Sequence, residues 1–167
     1  QVEETARGIA SLFNNPHFRV YLSDDLTGVE LAGALKNVYA ITAGISDGLG
    51  YGDNTKGALM ARSLYELAKL GVALGGRIET FFGIAGLGDL FATGVSKLSR
   101  NCRAGFGVGR GQALEDVVRE IGQVVEGVPT TEIAVRRARA AGVSAPIMEG
   151  TYAVLTGSMT AREGVQL

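Results

Sequence analysis

Residues 29–45, VELAGALKNVYAITAGI, constrain this chain more than any other stretch. They are apolar or small at nearly every position, so a helix built from them has no solvent face and must be surrounded by other elements. Lys36 and Asn37 stand side by side in its middle, an ammonium and an amide where packing alone would place neither.

The rest of the chain supplies the surrounding elements. The apolar spacing predicts one buried helix over 27–45, then a glycine-rich loop over SDGLGYGDN. Asn54 or Thr55 is expected to cap the next helix, KGALMARSLYELAKLGVAL, whose Leu59, Leu64, Leu67 and Leu70 form a stripe. Short helices are expected at RIETFFGI and GDLFATG. Ser99 reads as an N-cap, and GFGVGRG, residues 105–111, as a flexible helix-terminal loop. It is not a dinucleotide fingerprint, because counted from Gly105 the sixth place is Arg110 and no strand precedes it. ALEDVVREIG, VPTTEIAVRRARAAG and APIMEGTYAVLTG carry helical periods, with Pro146 at a first turn, and MTAREGVQL opens a last helix.

The front of the chain differs. Val2, Ala6, Ile9, Leu12 and Phe13 recur at helical spacing, NNP stops that helix, and HFRVYLS alternates like a short strand. The expectation is therefore an all-α domain over 24–167, preceded over 1–23 by a helix and strand of the kind that ends a βαβ domain.

Composition narrows the function. The net charge is −1 with no block of Lys or Arg, which speaks against a nucleic-acid surface. One cysteine excludes a disulfide framework, and no apolar run has membrane-spanning length without a charge. His17 lacks metal-ligand partners at spacing and reads as structural. Cys102, near Arg100 and Arg103, is expected to have a depressed pKa, but without a neighbouring histidine it is not assigned as a nucleophile.

Two groupings carry chemistry. The helical neighbours of Lys36 are Ala32, Gly33, Tyr39 and Ala40, mostly small, so the lysine stands over a depression. Two readings stay open: a lysine snorkelling to water, or a desolvated ammonium that moves a proton or pins an oxyanion. Asp89, Thr93, Ser99, Arg100 and Asn101 form the second grouping. A guanidinium, an amide and a hydroxyl suit a phosphate, while the plainer reading is a capped helix with a solvated arginine.

GVELAGALKNVYAITAGISDGLGYGDNTKGALMARSLYEL, followed by GLGDL, SRN and IGQVVEG, resembles the C-terminal half of NAD(P)-dependent glycerol-3-phosphate dehydrogenases over roughly residues 19–167. The resemblance implies a helical substrate domain of the 6-phosphogluconate-dehydrogenase C-terminal type. It also implies hydride transfer between dihydroxyacetone phosphate and sn-glycerol 3-phosphate, with NAD or NADP as cofactor. It makes Lys36 the catalytic acid/base on the C2 oxygen. Asn37, Asp89 and Thr93 then hold the substrate and orient the lysine, and Ser99, Arg100 and Asn101 hold its phosphate. Arg100, Gln123, Val124 and Glu126 lie toward the nicotinamide.

The main dinucleotide site belongs to an N-terminal domain upstream, so the 167-residue chain by itself is expected to be inactive. A cytoplasmic setting serving phospholipid synthesis completes what the resemblance implies; a homodimer is expected because closed two-fold assemblies are common, and the charge pattern leaves no nucleic-acid partner expected. A ketopantoate or β-hydroxyacid reductase is the nearest alternative, and a non-catalytic helical module a remoter one; the phosphate equipment at Arg100 and Asn101 favours the first reading.

Overall fold

The computed structural model describes residues 2–165. Its elements are α1 (Val2–Phe13), α2 (Leu26–Gly48), α3 (Asp53–Ala73), α4 (Ile78–Phe82), a π-helical turn (Ile84–Gly88), α5 (Asp89–Val95), α6 (Arg100–Gly109), α7 (Leu114–Ile121), α8 (Gly127–Ala140), α9 (Pro146–Leu155) and α10 (Ala161–Gly164). The all-α expectation holds for the described residues. Expectations for the Val2 side chain and for residues 166 and 167 lie outside them.

α2 is the axis. Val38, Tyr39, Ala40, Ile41 and Ala43 are fully buried, and α3, α5, α6, α8 and α9 all pack around them. One core cluster lies between α2, α3, α4 and the α8–α9 pair, around Tyr39, Leu67, Phe81 and Met148. A second lies between α2, α6 and α7, around Ile41, Ile45 and Val117. The start of α2 is tied down by Asp25. Its carboxylate accepts from the Gly28 N–H at 2.9 Å, the Arg77 N–H at 2.8 Å and the Thr80 hydroxyl at 2.6 Å. These donors, the Thr80 hydroxyl foremost, hold its pKa below the usual aspartate value. Asp25 thereby caps α2 and fastens it to the start of α4.

The contact between α2 and α6 corrects one expectation. Residues 105–109 are not a flexible loop; they are the second half of α6, and the turn begins only at Arg110, with Gly111 at φ +88°. The reason is close approach. A Cβ on Gly105 would lie 1.9 Å from the Ile41 carbonyl oxygen, and one on Gly109 2.4 Å from that of Ile45. Reciprocally, a Cβ on Gly44 would lie 2.0 Å from the Cys102 carbonyl oxygen, and one on Gly48 2.4 Å from that of Phe106. Glycine weakens a helix by about 1 kcal/mol per residue relative to alanine. Here that cost is offset because its absence of a side chain lets two backbones touch.

Two further expectations are corrected. Asn54 and Thr55 do not cap α3, which starts earlier, at Asp53, behind Gly52 and without a side-chain cap; the Asp53 charge favours the new N-terminus instead. HFRVYLS is not a strand. Among the described residues the only pairing there is an isolated bridge between Asn15 and Phe18, since no other segment offers a backbone edge to form a ladder with. Ile9, Leu12 and Phe13 of α1, with Tyr21 and Leu22, are largely exposed. Ser99, by contrast, caps α6 as expected, its hydroxyl accepting from the Cys102 N–H at 3.3 Å, and Pro146 opens α9.

The glycine seam yields a paired test. Gly105→Ala should lower unfolding stability by about 3 kcal/mol, the upper range for overpacking. Gly8→Ala, on exposed α1 with open space around it, should be neutral or raise stability by up to about 1 kcal/mol. Urea denaturation of both measures this; equal responses would contradict the seam.

Candidate functional site

Two helices and two helix starts enclose an open cleft of about 480 Å³. α2 contributes Gly33, Lys36 and Asn37; α5 contributes Ala92 and Thr93; Ser99, Arg100 and Asn101 come from the start of α6, and Glu126 from the start of α8. Above Gly33 nothing lies within 4 Å of where a Cβ would stand, so the helix surface beside Lys36 is open space.

Lys36 reaches along this surface and ion-pairs with the Asp89 carboxylate. Only 19% of the lysine side chain is accessible, so its ammonium is largely withdrawn from water without being sealed off. Asp89 opens α5, and Thr93, one turn further on, donates its hydroxyl to Asp89 at 3.1 Å. What aims Asp89 is the π-helical turn before it, a widened turn of a kind frequent at functional sites. That turn needs glycine, because a Cβ on Gly86 would lie 2.0 Å from the Phe81 carbonyl oxygen.

Asn37 and Asn101 are buried and joined. The Asn101 amide nitrogen donates to the Asn37 side-chain oxygen at 2.9 Å, while the Asn101 oxygen accepts from the Gly127 N–H at 2.9 Å. The Asn37 nitrogen donates to the Gly33 carbonyl at 3.3 Å and to the Glu126 carboxylate at 3.5 Å. The two amides therefore lock α2, α6 and the start of α8 together. Gly127 again permits the approach: a Cβ there would stand 2.8 Å from the Asn101 oxygen. Asn101 keeps a second N–H, and the Ser99 hydroxyl, accepting as a cap, keeps its own proton to donate.

Arg100 is the first residue of α6, with its guanidinium 3.9 Å from Glu126 and about two-fifths exposed. The start of α6 lines the cleft, and a helix start favours negative charge, so Lys36, Arg100 and the α6 terminus make one side of the cleft receptive to an anion. In this structure each cation faces a carboxylate, Asp89 or Glu126.

The structure thus brings Lys36, Asn37, Thr93, Ser99, Arg100, Asn101 and Glu126 to one cleft, with Asp89 joined to it through Lys36. Gln123 and Val124 stand apart. They are exposed in the turn that follows the left-handed Gly122, outside the residues that line the cleft. The expected depressed pKa of Cys102 is corrected: burial pushes its thiol up, and its sulfur lies 3.6 Å from the Gly94 carbonyl. Among the described residues no cluster of His, Cys, Asp or Glu is able to hold a metal ion.

The π-helical turn and the close approach at Gly127 are not among the features expected from the sequence. The glycine spacing GIAGLGD was the available signal for the first; EGVP, a glycine directly before a helix, was the signal for the second.

Comparison with known proteins places this geometry. The family model described as NAD-dependent glycerol-3-phosphate dehydrogenase C-terminus matches residues 25–166. Glycerol-3-phosphate dehydrogenase [NAD(P)+] of Carboxydothermus hydrogenoformans is 50% identical over 157 residues, covering 94% of this chain and 47% of that protein. Its counterpart in Geobacillus kaustophilus is 52% identical over 163 residues, 97% of this chain and again 47% of that protein. The chain therefore spans about half the length of the curated relatives it matches. The crystal structure of glycerol-3-phosphate dehydrogenase from Coxiella burnetii superposes with a TM-score of 0.93 at 36% identity, over 98% of this chain and 50% of that one.

Neighbouring Arg100 and Asn101 should respond oppositely to truncation. Asn101→Ala leaves the Gly127 N–H and the Asn37 oxygen without a partner and should cost about 2–3 kcal/mol of stability. Arg100→Ala, at a solvated pair, should stay within about 0.5 kcal/mol. Urea denaturation separates them; a destabilising Arg100→Ala with a silent Asn101→Ala would contradict the amide lock.

Proposed function

Because the chain belongs to the NAD-dependent glycerol-3-phosphate dehydrogenase C-terminal family, we propose that it forms the substrate-binding and proton-transferring half of an enzyme interconverting dihydroxyacetone phosphate and sn-glycerol 3-phosphate. The observation that carries the reading is the pairing, in one cleft, of a lysine held by a carboxylate with an anion-receptive helix start.

The substrate phosphate sits against Arg100, the Ser99 hydroxyl, the spare N–H of Asn101 and the α6 terminus, whose planar fork and amide donors match its oxygens. The remaining carbons then lie over Gly33, and the C2 oxygen comes to Lys36. Asp89 holds the ammonium in place through their ion pair. In the reducing direction NAD(P)H, held at the cleft edge by Arg100 and Glu126, would supply the hydride for C2. Lys36 places its proton on the C2 oxygen as negative charge develops there, and is then reprotonated from water at its open side. In the other direction Lys36 takes that proton back.

The residues present fit only one edge of such a cofactor. Arg100 and Glu126 stand at the cleft, whereas Gln123 and Val124 are exposed outside its lining. The glycines of α6 are spent in packing, Gly105 and Gly109 against α2 and Gly107 against Val117 of α7, and offer no pyrophosphate cradle. The same proposal includes a homodimer, in line with the frequency of closed two-fold assemblies. It also includes a cytoplasmic setting, with which a lone buried thiol is compatible.

Lys36→Met in the full-length enzyme should lower kcat by roughly 10³-fold with the fold intact, since it removes both proton delivery and oxyanion stabilisation. Following dihydroxyacetone-phosphate-dependent oxidation of NADH and NADPH measures it. A parent that ignores dihydroxyacetone phosphate but reduces another keto acid would remove the phosphate role of Arg100 and Asn101.

A further inference from the structure

Glu66, on α3, is a carboxylate with only 4% of its surface exposed, and it takes no part in the chemistry above. Its two oxygens accept from the backbone N–H groups of Ile147 at 3.0 Å and Met148 at 2.9 Å. These belong to the first turn of α9, where a helix leaves N–H groups without internal partners and favours negative charge. The fully buried Tyr39 donates its hydroxyl to the same carboxylate at 3.3 Å. One side chain of α3 therefore joins α2 to α9.

The position of Tyr39 on α2 gives this joint its consequence. At about 100° per residue, Tyr39 lies on the side of α2 opposite Gly44 and Gly48, which meet α6. Lys36 precedes it by one turn on the same side. The glycine seam fixes where α2 touches α6, and the Tyr39–Glu66 bond fixes the helix from behind. Burial drives the Glu66 carboxyl up against the pull of its donors, and burial with the nearby carboxylate drives the Tyr39 phenol well above its ordinary value of 10. Tyr39 therefore remains a donor at neutral pH.

We propose that Glu66 is a positioning residue for Lys36: through the Tyr39 hydroxyl it sets the rotation of α2 about its axis, and so the place where the Lys36 ammonium meets the substrate oxygen. This rests on Lys36 being the acid/base of the proposed function. It makes a prediction that a merely structural strut does not. The phosphate donors stand on α6, so loosening α2 at Tyr39 should move the proton donor relative to the reacting atom while leaving phosphate binding in place.

The test uses the full-length dehydrogenase with Tyr39→Phe, Glu66→Gln and the double variant, reading kcat and KM for dihydroxyacetone phosphate beside circular dichroism and urea denaturation. A displacement of the order of 1 Å is enough to cost up to ~100-fold in rate. The expected result is a kcat roughly ten-fold lower or worse for each single variant, with KM within about two-fold. The double variant should be no slower than Glu66→Gln, because the two side chains act as a unit. Should Glu66→Gln fail to fold, Tyr39→Phe keeps the test intact, since it leaves the carboxylate and its bonds to α9 in place. If Tyr39→Phe keeps kcat within about two-fold of the parent, the proposal is overturned and Glu66 contributes stability alone, whatever the denaturation midpoints do. A parent inactive on dihydroxyacetone phosphate would overturn the proposed function before any substitution is read, and is distinguished in that way.

Discussion

The backbone contact between α2 and α6 is the constraint on which the rest of this domain depends. Side chains usually hold helices 8–10 Å apart. At Gly44, Gly48, Gly105 and Gly109 there is no side chain to do so, and carbonyl oxygens of one helix lie where a Cβ of the other would stand. That approach is what lets Asn37 of α2 and Asn101 of α6 meet directly. It also brings Arg100, at the start of α6, to the same cleft as Lys36 in the middle of α2. Were the helices separated by ordinary side chains, the ammonium and the anion-receptive helix start would stand too far apart to serve one small molecule.

The site shows a division of labour between adjacent residues. Lys36 and Arg100 face the open cleft and are each countered by a single carboxylate. Asn37 and Asn101, the next residue in each helix, turn inward and hold the helices in register. An arrangement of this kind keeps charged groups available to a ligand while the amides carry the geometry, which satisfied buried polar networks do well.

The parts legible in the sequence were those governed by local rules. The apolar run around Lys36 announced a central helix, because no other environment accepts it. Ser99 announced the start of α6 and Pro146 that of α9, because caps and first turns are chosen by their immediate neighbours. The parts that were not legible depend on contacts distant in sequence. Gly105 and Gly109 have poor helix propensity and read as a loop until the α2 backbone they touch is in view. HFRVYLS has a strand pattern, but a strand exists only where another backbone edge pairs with it. The π-helical turn that aims Asp89 arises from a backbone crowding at Phe81 and Gly86 that no periodicity encodes. Nothing local to Glu66 marks it as buried; only the start of α9, whose N–H groups its carboxylate accepts from, shows why it is.

The most direct measurement is a crystal structure of the full-length protein with sn-glycerol 3-phosphate bound. The expected result is the phosphate against Ser99, Arg100 and Asn101, with the C2 oxygen within hydrogen-bonding reach, about 2.6–3.2 Å, of the Lys36 ammonium. It would be contradicted by the ligand lying across the far side of α6, in the separate cleft of about 700 Å³ beside Lys56, Lys97 and Arg103, or by Lys36 remaining paired with Asp89 and out of reach of C2.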